Sequence, residues 1–323
     1  MGARSWRWTG ARALVVLGLV FVPLAARADD PKFAYAEKPK DDAKPGGWKA
    51  EIKAGLLYLT GNSQSLSVSA AARASYDAVW QKYTFYGDYV YSRSTTLVSP
   101  DPGSTTPIPI QSLDDLGRSN NLSARLWDLG ARFDQFLVHR NAQWDTSLYL
   151  GVLLGSDYSA GKKLFGDLQI GASTLLIKTA QHSLIGEGGF DFAFSDPYVD
   201  STYFIFSLRL ALNYTWAISK TSAFTAGVEW LTNLNQENAA YDDISNPNQV
   251  PVCADNRINA KVGLTTQIYD ALSLGVTFVL RFDSAPSLAQ LPSNVVAAPG
   301  VPGIFLYKTD TITTLQLVYT FGG

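Results

Sequence analysis

The sequence predicts an all-β fold, a transmembrane antiparallel β-barrel of 12 strands with up-and-down topology and both termini in the periplasm. Three observations predict it: an export leader, long runs of strict two-residue alternation, and short connections alternating with long ones. The leader comes first. Arg4, Arg7 and Arg12 form a basic start, Ala13 to Leu24 an apolar run, and Ala26-Arg27-Ala28 a small-x-small cleavage site. That pattern is a secretory signal peptide over 1–28, with an apolar run too short to span a bilayer as a helix. Residues 29–46 are rich in Lys, Asp and Pro and read as a disordered periplasmic tail, leaving 47–323 for the barrel.

From Trp48 the chain alternates. Trp48, Ala50, Ile52, Ala54, Leu56 and Tyr58 share one face of the first strand, and Lys49, Glu51 and Lys53 share the other. The second strand sets Leu66, Val68 and Tyr76 against Arg73, and the third sets Tyr83, Phe85, Tyr89 and Tyr91 against Lys82 and Asp88. In the fourth, Trp127, Leu129 and Phe133 oppose Asp128, Arg132 and Asp134. Its start (Leu122, Ala124, Leu126) has the other parity, so a bulge is expected near Leu126. The fifth strand, from Trp144 to Leu154, places Asp145 opposite its leucines. The sixth does the same with Asp167, and the seventh carries Glu187 and Asp191 against Phe190, Phe192 and Phe194. The eighth runs Phe204 to Trp216 with Arg209 on its polar face, and the ninth opposes Glu229 to Val228 and Trp230. Strands ten to twelve bring Arg257 and Lys261, then Arg281, and finally Leu315, Leu317, Tyr319 and Phe321.

These runs suit tilted strands crossing a bilayer, which need roughly 9–11 residues each. Short turns are expected after strands two, four, six, eight and ten, with long outer loops at 94–120, 235–256 and 283–307. Nine basic and nine acidic side chains fall on the proposed inner face and none on the apolar one, so the 18 charges named above are expected to line the lumen. The cleanliness of the other face follows from cost, because a Lys or Arg facing lipid at the midplane costs about 2–4 kcal/mol. Aromatics band at the strand ends, as girdles at the two interfaces would. Trp48, Tyr76, Trp80, Trp144, Trp216, Tyr269 and Tyr319 lie toward the periplasm; Tyr58, Tyr91, Phe194, Phe204, Trp230 and Phe282 lie toward the outside.

Composition narrows the function. The leader takes four of the 26 basic residues, leaving 22 against 28 acidic ones, a balance that argues against a nucleic-acid partner. One cysteine, Cys253, excludes an internal disulfide and a cysteine zinc site. The two histidines, His139 and His182, fall at expected periplasmic turns and read as interface residues, so no catalytic constellation is expected. The loop acids Asp114, Asp115, Asp196, Asp200, Asp242 and Asp243 lack calcium-loop spacing, and no metal or cofactor is expected. Two readings remain: a passive channel for ions or small hydrophilic solutes, or a closed structural or adhesive barrel acting through its outer loops. Its partners would be outer-membrane lipids including lipopolysaccharide, with periplasmic chaperones and the barrel-assembly machinery during biogenesis.

The chain ends in alternation through Leu317, Tyr319 and Phe321, followed by two glycines, an ending similar to the signal that outer-membrane assembly machinery recognises. With Gly61-Asn62-Ser63 after the first strand and Arg132-Phe133-Asp134 in the fourth, this tail resembles the salt-induced outer-membrane protein family. The resemblance implies a barrel, an outer-membrane address and a stress-related envelope role, and it brings no catalytic residues. The inserts around Pro107-Ile108-Pro109 and Val250-Pro251-Val252-Cys253 depart from a compact member of that family.

Overall fold

Alternation over 12 to 20 residues, broken by turns, gives the strands of the computed structural model. It describes residues 47–60, 65–78, 80–101, 107–137, 145–157, 161–239, 248–269, 271–289, 291, 295–299 and 304–321. The expected leader and tail, together with His139, Trp144, Asp242 and Asp243, lie outside those residues. The strands are β1 (Gly47–Thr60), β2 (Ser65–Asp77), β3 (Gln81–Val98), β4 (Ile108–Ile110), β5 (Gly117–Phe136), β6 (Thr146–Asp157) and β7 (Lys162–Lys178). They continue with β8 (His182–Pro197), β9 (Tyr203–Ala217), β10 (Ser222–Asn233), β11 (Asn256–Tyr269), β12 (Leu272–Asp283), β13 (Val295–Ala297) and β14 (Thr309–Phe321). Twelve of them close an antiparallel barrel in chain order, sealed where β14 pairs β1; β4 and β13 form a separate parallel pair.

Each barrel strand lies on the alternating run expected of it, and the pleat divides the side chains between two sides. Along β6 the burial alternates residue by residue: Tyr149 is 2% exposed and its neighbour Leu150 is 45% exposed. The exposed side is apolar on every barrel strand, with Ile52, Val68, Phe85, Leu129, Leu168, Phe192, Leu210, Val228, Val262, Phe278 and Leu317 on it. In water such a surface would drive aggregation; against hydrocarbon it is the stable arrangement. At the end that holds both described termini, neighbouring strands bring their rings together at a tilt. Trp48, Tyr76, Tyr83 and Phe133 form a row across β1, β2, β3 and β5 with centroids 5.2 to 6.4 Å apart.

Two expectations need correction. The bulge in β5 is at Ser123, where Leu122 pairs Arg93 and Ala124 pairs Ser92. Leu126 keeps the inner register, paired with Val90 and Asp157, so only the residues before Ser123 change side. The connection after β5 is also longer than a tight turn, because β5 ends at Phe136 and β6 opens at Thr146.

Two of the long connections at the end opposite the termini fold together. Ile110, Leu113 and Leu116 from one pack with Ala289, Val295, Ile304 and Leu306 from the other in a small apolar core of their own. Pairing of β4 with β13 satisfies backbone groups there, and Ser112 caps the 3-10 turn Leu113–Asp115 by accepting from the Asp114 amide. The Tyr307 hydroxyl donates to Asp114 at 2.6 Å and ties the two connections at their surface.

Candidate functional site

Inside the barrel the buried parity carries charge. Of the residues expected there, Lys82, Asp128, Arg132, Asp134, Asp145, Glu187, Asp191, Arg209, Glu229, Arg257 and Arg281 are buried. Glu51, Lys53, Arg73, Asp88, Asp167 and Lys261 are half-buried, and Lys49 is exposed near the barrel end beside Asp77. All occupy the register opposite the apolar face.

Five of these side chains form one network on the wall from β5 to β10. Arg132 holds Asp134 at 2.8 Å and reaches across two strands to grip both oxygens of Glu187, at 2.8 and 3.2 Å. Arg209 donates to the same Glu187 at 2.9 Å and to Glu229 at 2.6 Å, and Asn259 donates to the other Glu229 oxygen at 2.9 Å. Charges alternate along the chain of bonds, and each buried guanidinium meets two carboxylates, which is how such groups stay tolerable away from water.

Tyr149 organises this network, and the sequence reading did not single it out. Its ring lies beneath the Arg132 guanidinium, 4.1 Å from ring centre to Cζ, and its hydroxyl accepts from Arg209 at 3.0 Å. The space for that ring comes from two glycines. Tyr149, Gly171, Gly189 and Arg209 are successive cross-strand partners on β6, β7, β8 and β9. A Cβ on Gly171 would stand 2.6 Å from the Tyr149 hydroxyl and closer still to the Gly188 carbonyl oxygen. A lone aromatic on a polar parity, followed on the next two strands by glycine, is the signal that could have found it.

The wall formed by β1 and β2 is different. Its inner positions are small or half-buried: Gly55, Ser69, Ala71, Arg73 and Ser75. Midway along β1, Glu51 and Lys53 pair at 3.2 Å with 29% and 32% of their side chains exposed. In a closed barrel, exposure of an inner mid-strand side chain means room for water beside that wall.

At the end opposite the termini, loops enter the mouth. Ala239, from the connection after β10, packs on Ala193, Tyr203 and Ile205 of the inner surface of β8 and β9. The Tyr203 hydroxyl is hydrogen-bonded to Ser287 of another connection and to Ser195. Glu237 is anchored by reciprocal backbone bonds with Val250 and is 2% exposed. Burial pushes its carboxyl up to about 7, with Asp283 adding to the rise and Arg257, a hydrogen bond shared with Asp255, and Lys162 opposing it. The sequence reading missed Glu237, Asp255, Asp283, Asp157, Lys162 and Asp77, all buried. Extending the alternation by one residue past a strand end would have caught Asp77, Asp255 and Asp283.

Other expected residues lie apart. His182 sits on the apolar parity near the end with the termini, bonded through Nδ1 to the Tyr214 hydroxyl at 2.7 Å and stacked on Trp216. Leu317 and Tyr319 are exposed on the outer face of β14, and Phe321 pairs with Ala50 to close the seam. Cys253 is an exposed free thiol with φ 61°. Among the described residues no group of three or more His, Cys, Asp or Glu could hold a metal ion.

Residues 52–244 match the model of a family described as proteins of unknown function, DUF481, and the chain belongs to that family. No curated protein matches it in sequence. Among solved structures it is similar to the NanC porin, with TM-score 0.47 and 7% identity over 83% of this chain and 98% of that one. An outer-membrane channel from Pseudomonas putida F1 gives TM-score 0.46 and 13% identity, over 88% of this chain and all of that one. OmpT, an outer-membrane protein of Vibrio cholerae, gives 0.37 and 8% over 88% of this chain and all of that one.

Proposed function

We propose that this DUF481 member is a passive outer-membrane channel for ions or small hydrophilic solutes, with its inner charges lining the path and no enzymatic role. The observation that carries the reading is the Glu51–Lys53 pair, part-exposed at mid-height on the inner wall of a closed barrel. A plugged barrel would have no water at that depth, and eight strands are filled by side chains where larger barrels keep a channel. The charged network on the other wall then acts as a stiff lining. In this reading both termini lie in the periplasm, behind a cleaved leader. The outer face meets lipid, including lipopolysaccharide, and Leu317, Tyr319 and Phe321 are read by the assembly machinery after chaperone delivery.

The test is conductance combined with access. In a Cys253→Ser background, Ala71→Cys places a thiol on the inner wall between Lys53 and Asp88, and Ala70→Cys places one on the lipid face. Stepwise conductance in planar bilayers is expected, reduced when a water-soluble methanethiosulfonate modifies Ala71→Cys and unchanged for Ala70→Cys. A folded, heat-modifiable barrel that stays silent sinks the channel.

A second reading has its own observation. The two outer connections that share the apolar core around Ile110 and Val295 form a built surface at the mouth. It would serve a closed structural or adhesive barrel, and the resemblance to salt-induced outer-membrane proteins would make its role one of envelope stress. Silent bilayers with loss of cell adhesion or salt tolerance on removing those loops would favour it.

A further inference from the structure

The sequence suggests a lumen balanced in charge, nine bases and nine acids. The folded barrel is not balanced. Among the described residues 17 Asp, Glu, Lys and Arg side chains are buried, all on the inner parity or folded into the mouth, and 11 are acids against 6 bases. The half-buried set does not offset this, since Glu51, Asp88, Asp167, Asp196 and Asp310 stand against Lys53, Arg73 and Lys261. We propose that the channel is cation-selective, its preference set by the carboxylates that outnumber bases on the buried inner wall and at the mouth. The inference rests on the channel reading and names what passes.

Two regions hold the surplus. In the wall network three carboxylates, Asp134, Glu187 and Glu229, share two guanidiniums. At the mouth, Asp157, Asp255 and Asp283 stand with Lys162 and Arg257, all five buried, and Glu237 beside them adds its charge only as pH rises through about 7. Fixed charges there act through a medium of low dielectric on the wet side of the lumen, along the half-exposed wall of β1 and β2. Field lines that cannot spread through protein or lipid concentrate in the water path, and a mobile ion feels the net sign more than any one pair. Carboxylate-rich linings give cation preference by this route. Among the described residues, the large side chains exposed along the outer face of the strands are apolar.

The test uses the full mature chain in planar bilayers under a potassium chloride gradient, read as reversal potential. Potassium is expected to permeate several-fold more readily than chloride. Asp157→Asn with Asp283→Asn removes two carboxylates near the mouth and is expected to move the ratio toward unity. Asn at 283 keeps the oxygen that accepts from the Ala285 amide, so the fold there is preserved. Lys53→Gln, on the wet wall, is expected to move the ratio the other way. Steps that favour chloride, or favour neither ion, overturn the selectivity and leave the channel standing. Silence from a folded barrel overturns the channel and the selectivity with it.

Discussion

Glu237 offers a test of whether the mouth is packed as described. Its side chain is enclosed by Asp255 and Arg257 at the start of β11, Asp283 at the end of β12, Lys162 at the start of β7 and Tyr203 at the start of β9. An acid whose folded pKa is raised contributes stability that is fully present below its unfolded value and is lost as pH rises through the folded value. The window therefore runs from the ordinary 4.5 to about 7. At 1.36 kcal/mol per unit the packing of this segment weakens by about 3 kcal/mol across it, roughly a hundredfold in the local opening equilibrium. Hydrogen exchange reads this at the amides of Glu237 and Val250, which bond each other's carbonyls at 3.1 and 3.0 Å. After correction for intrinsic rates, their protection should fall about a hundredfold between pH 4.5 and 8. Glu237→Gln should be as protected at pH 8 as the native chain is at low pH, and flat between. A native chain with pH-independent protection, or a glutamine variant equally steep, would refute the burial argument.

Four further outcomes follow from the wall and the loops. Glu187→Gln leaves Arg132 and Arg209 without the carboxylate they share, and should cost about 3–5 kcal/mol in urea unfolding from vesicles. Gly171→Ala should destabilise the barrel by about 1–3 kcal/mol, because the added methyl meets the Gly188 carbonyl, which cannot rotate away as the Tyr149 hydroxyl can. Leu150→Lys, mid-strand on the apolar face of β6, should cost about 2–4 kcal/mol if that face meets hydrocarbon, while a negligible cost would mean the face is wet. Ile110→Asp should loosen both outer connections together, seen as simultaneous protease cleavage within 99–116 and 284–308; cleavage of one alone would show that they do not share a core.

The barrel was legible because the cost that shapes it acts on every residue of every strand. A lipid-facing position tolerates almost nothing polar, so the alternation survives along β6 and β9 without a break, and the strand count follows from counting runs. Charges inside those runs were legible for the same reason. What was not legible is anything decided by packing between distant elements. Nothing near Glu237 marks it as buried, since its neighbours on either side are Gln236 and Asn238, both polar and both exposed. Its burial comes from the return of the chain at Val250 and from residues of β7, β9, β11 and β12. The bulge at Ser123 was misplaced by three residues because Leu126, on the polar parity, looks like an error of register. It is instead an apolar side chain on the inner side near the mouth, beside Val90.

The wall network also bears on how the proposed channel would keep its lumen open. An arginine reaches across two neighbouring strands, as Arg132 does to Glu187. Asp134, Arg132, Glu187, Arg209 and Glu229 satisfy one another along the curve of their own wall. Gly171 and Gly189 let Tyr149 lie flat beneath them, which keeps that layer thin. A thin, self-satisfied layer on one side leaves no unmet demand for partners on the other, so the small residues of β1 and β2 are free to face water. If Tyr149→Ala were made, Arg132 and Arg209 would lose the ring and the hydroxyl that hold them to the wall, and the side chains would swing toward the lumen. Conductance should then fall, while the strand pairing persists as a heat-modifiable barrel. An unchanged conductance would mean that Tyr149 only fills space, and that the openness of the lumen is set by strand number alone.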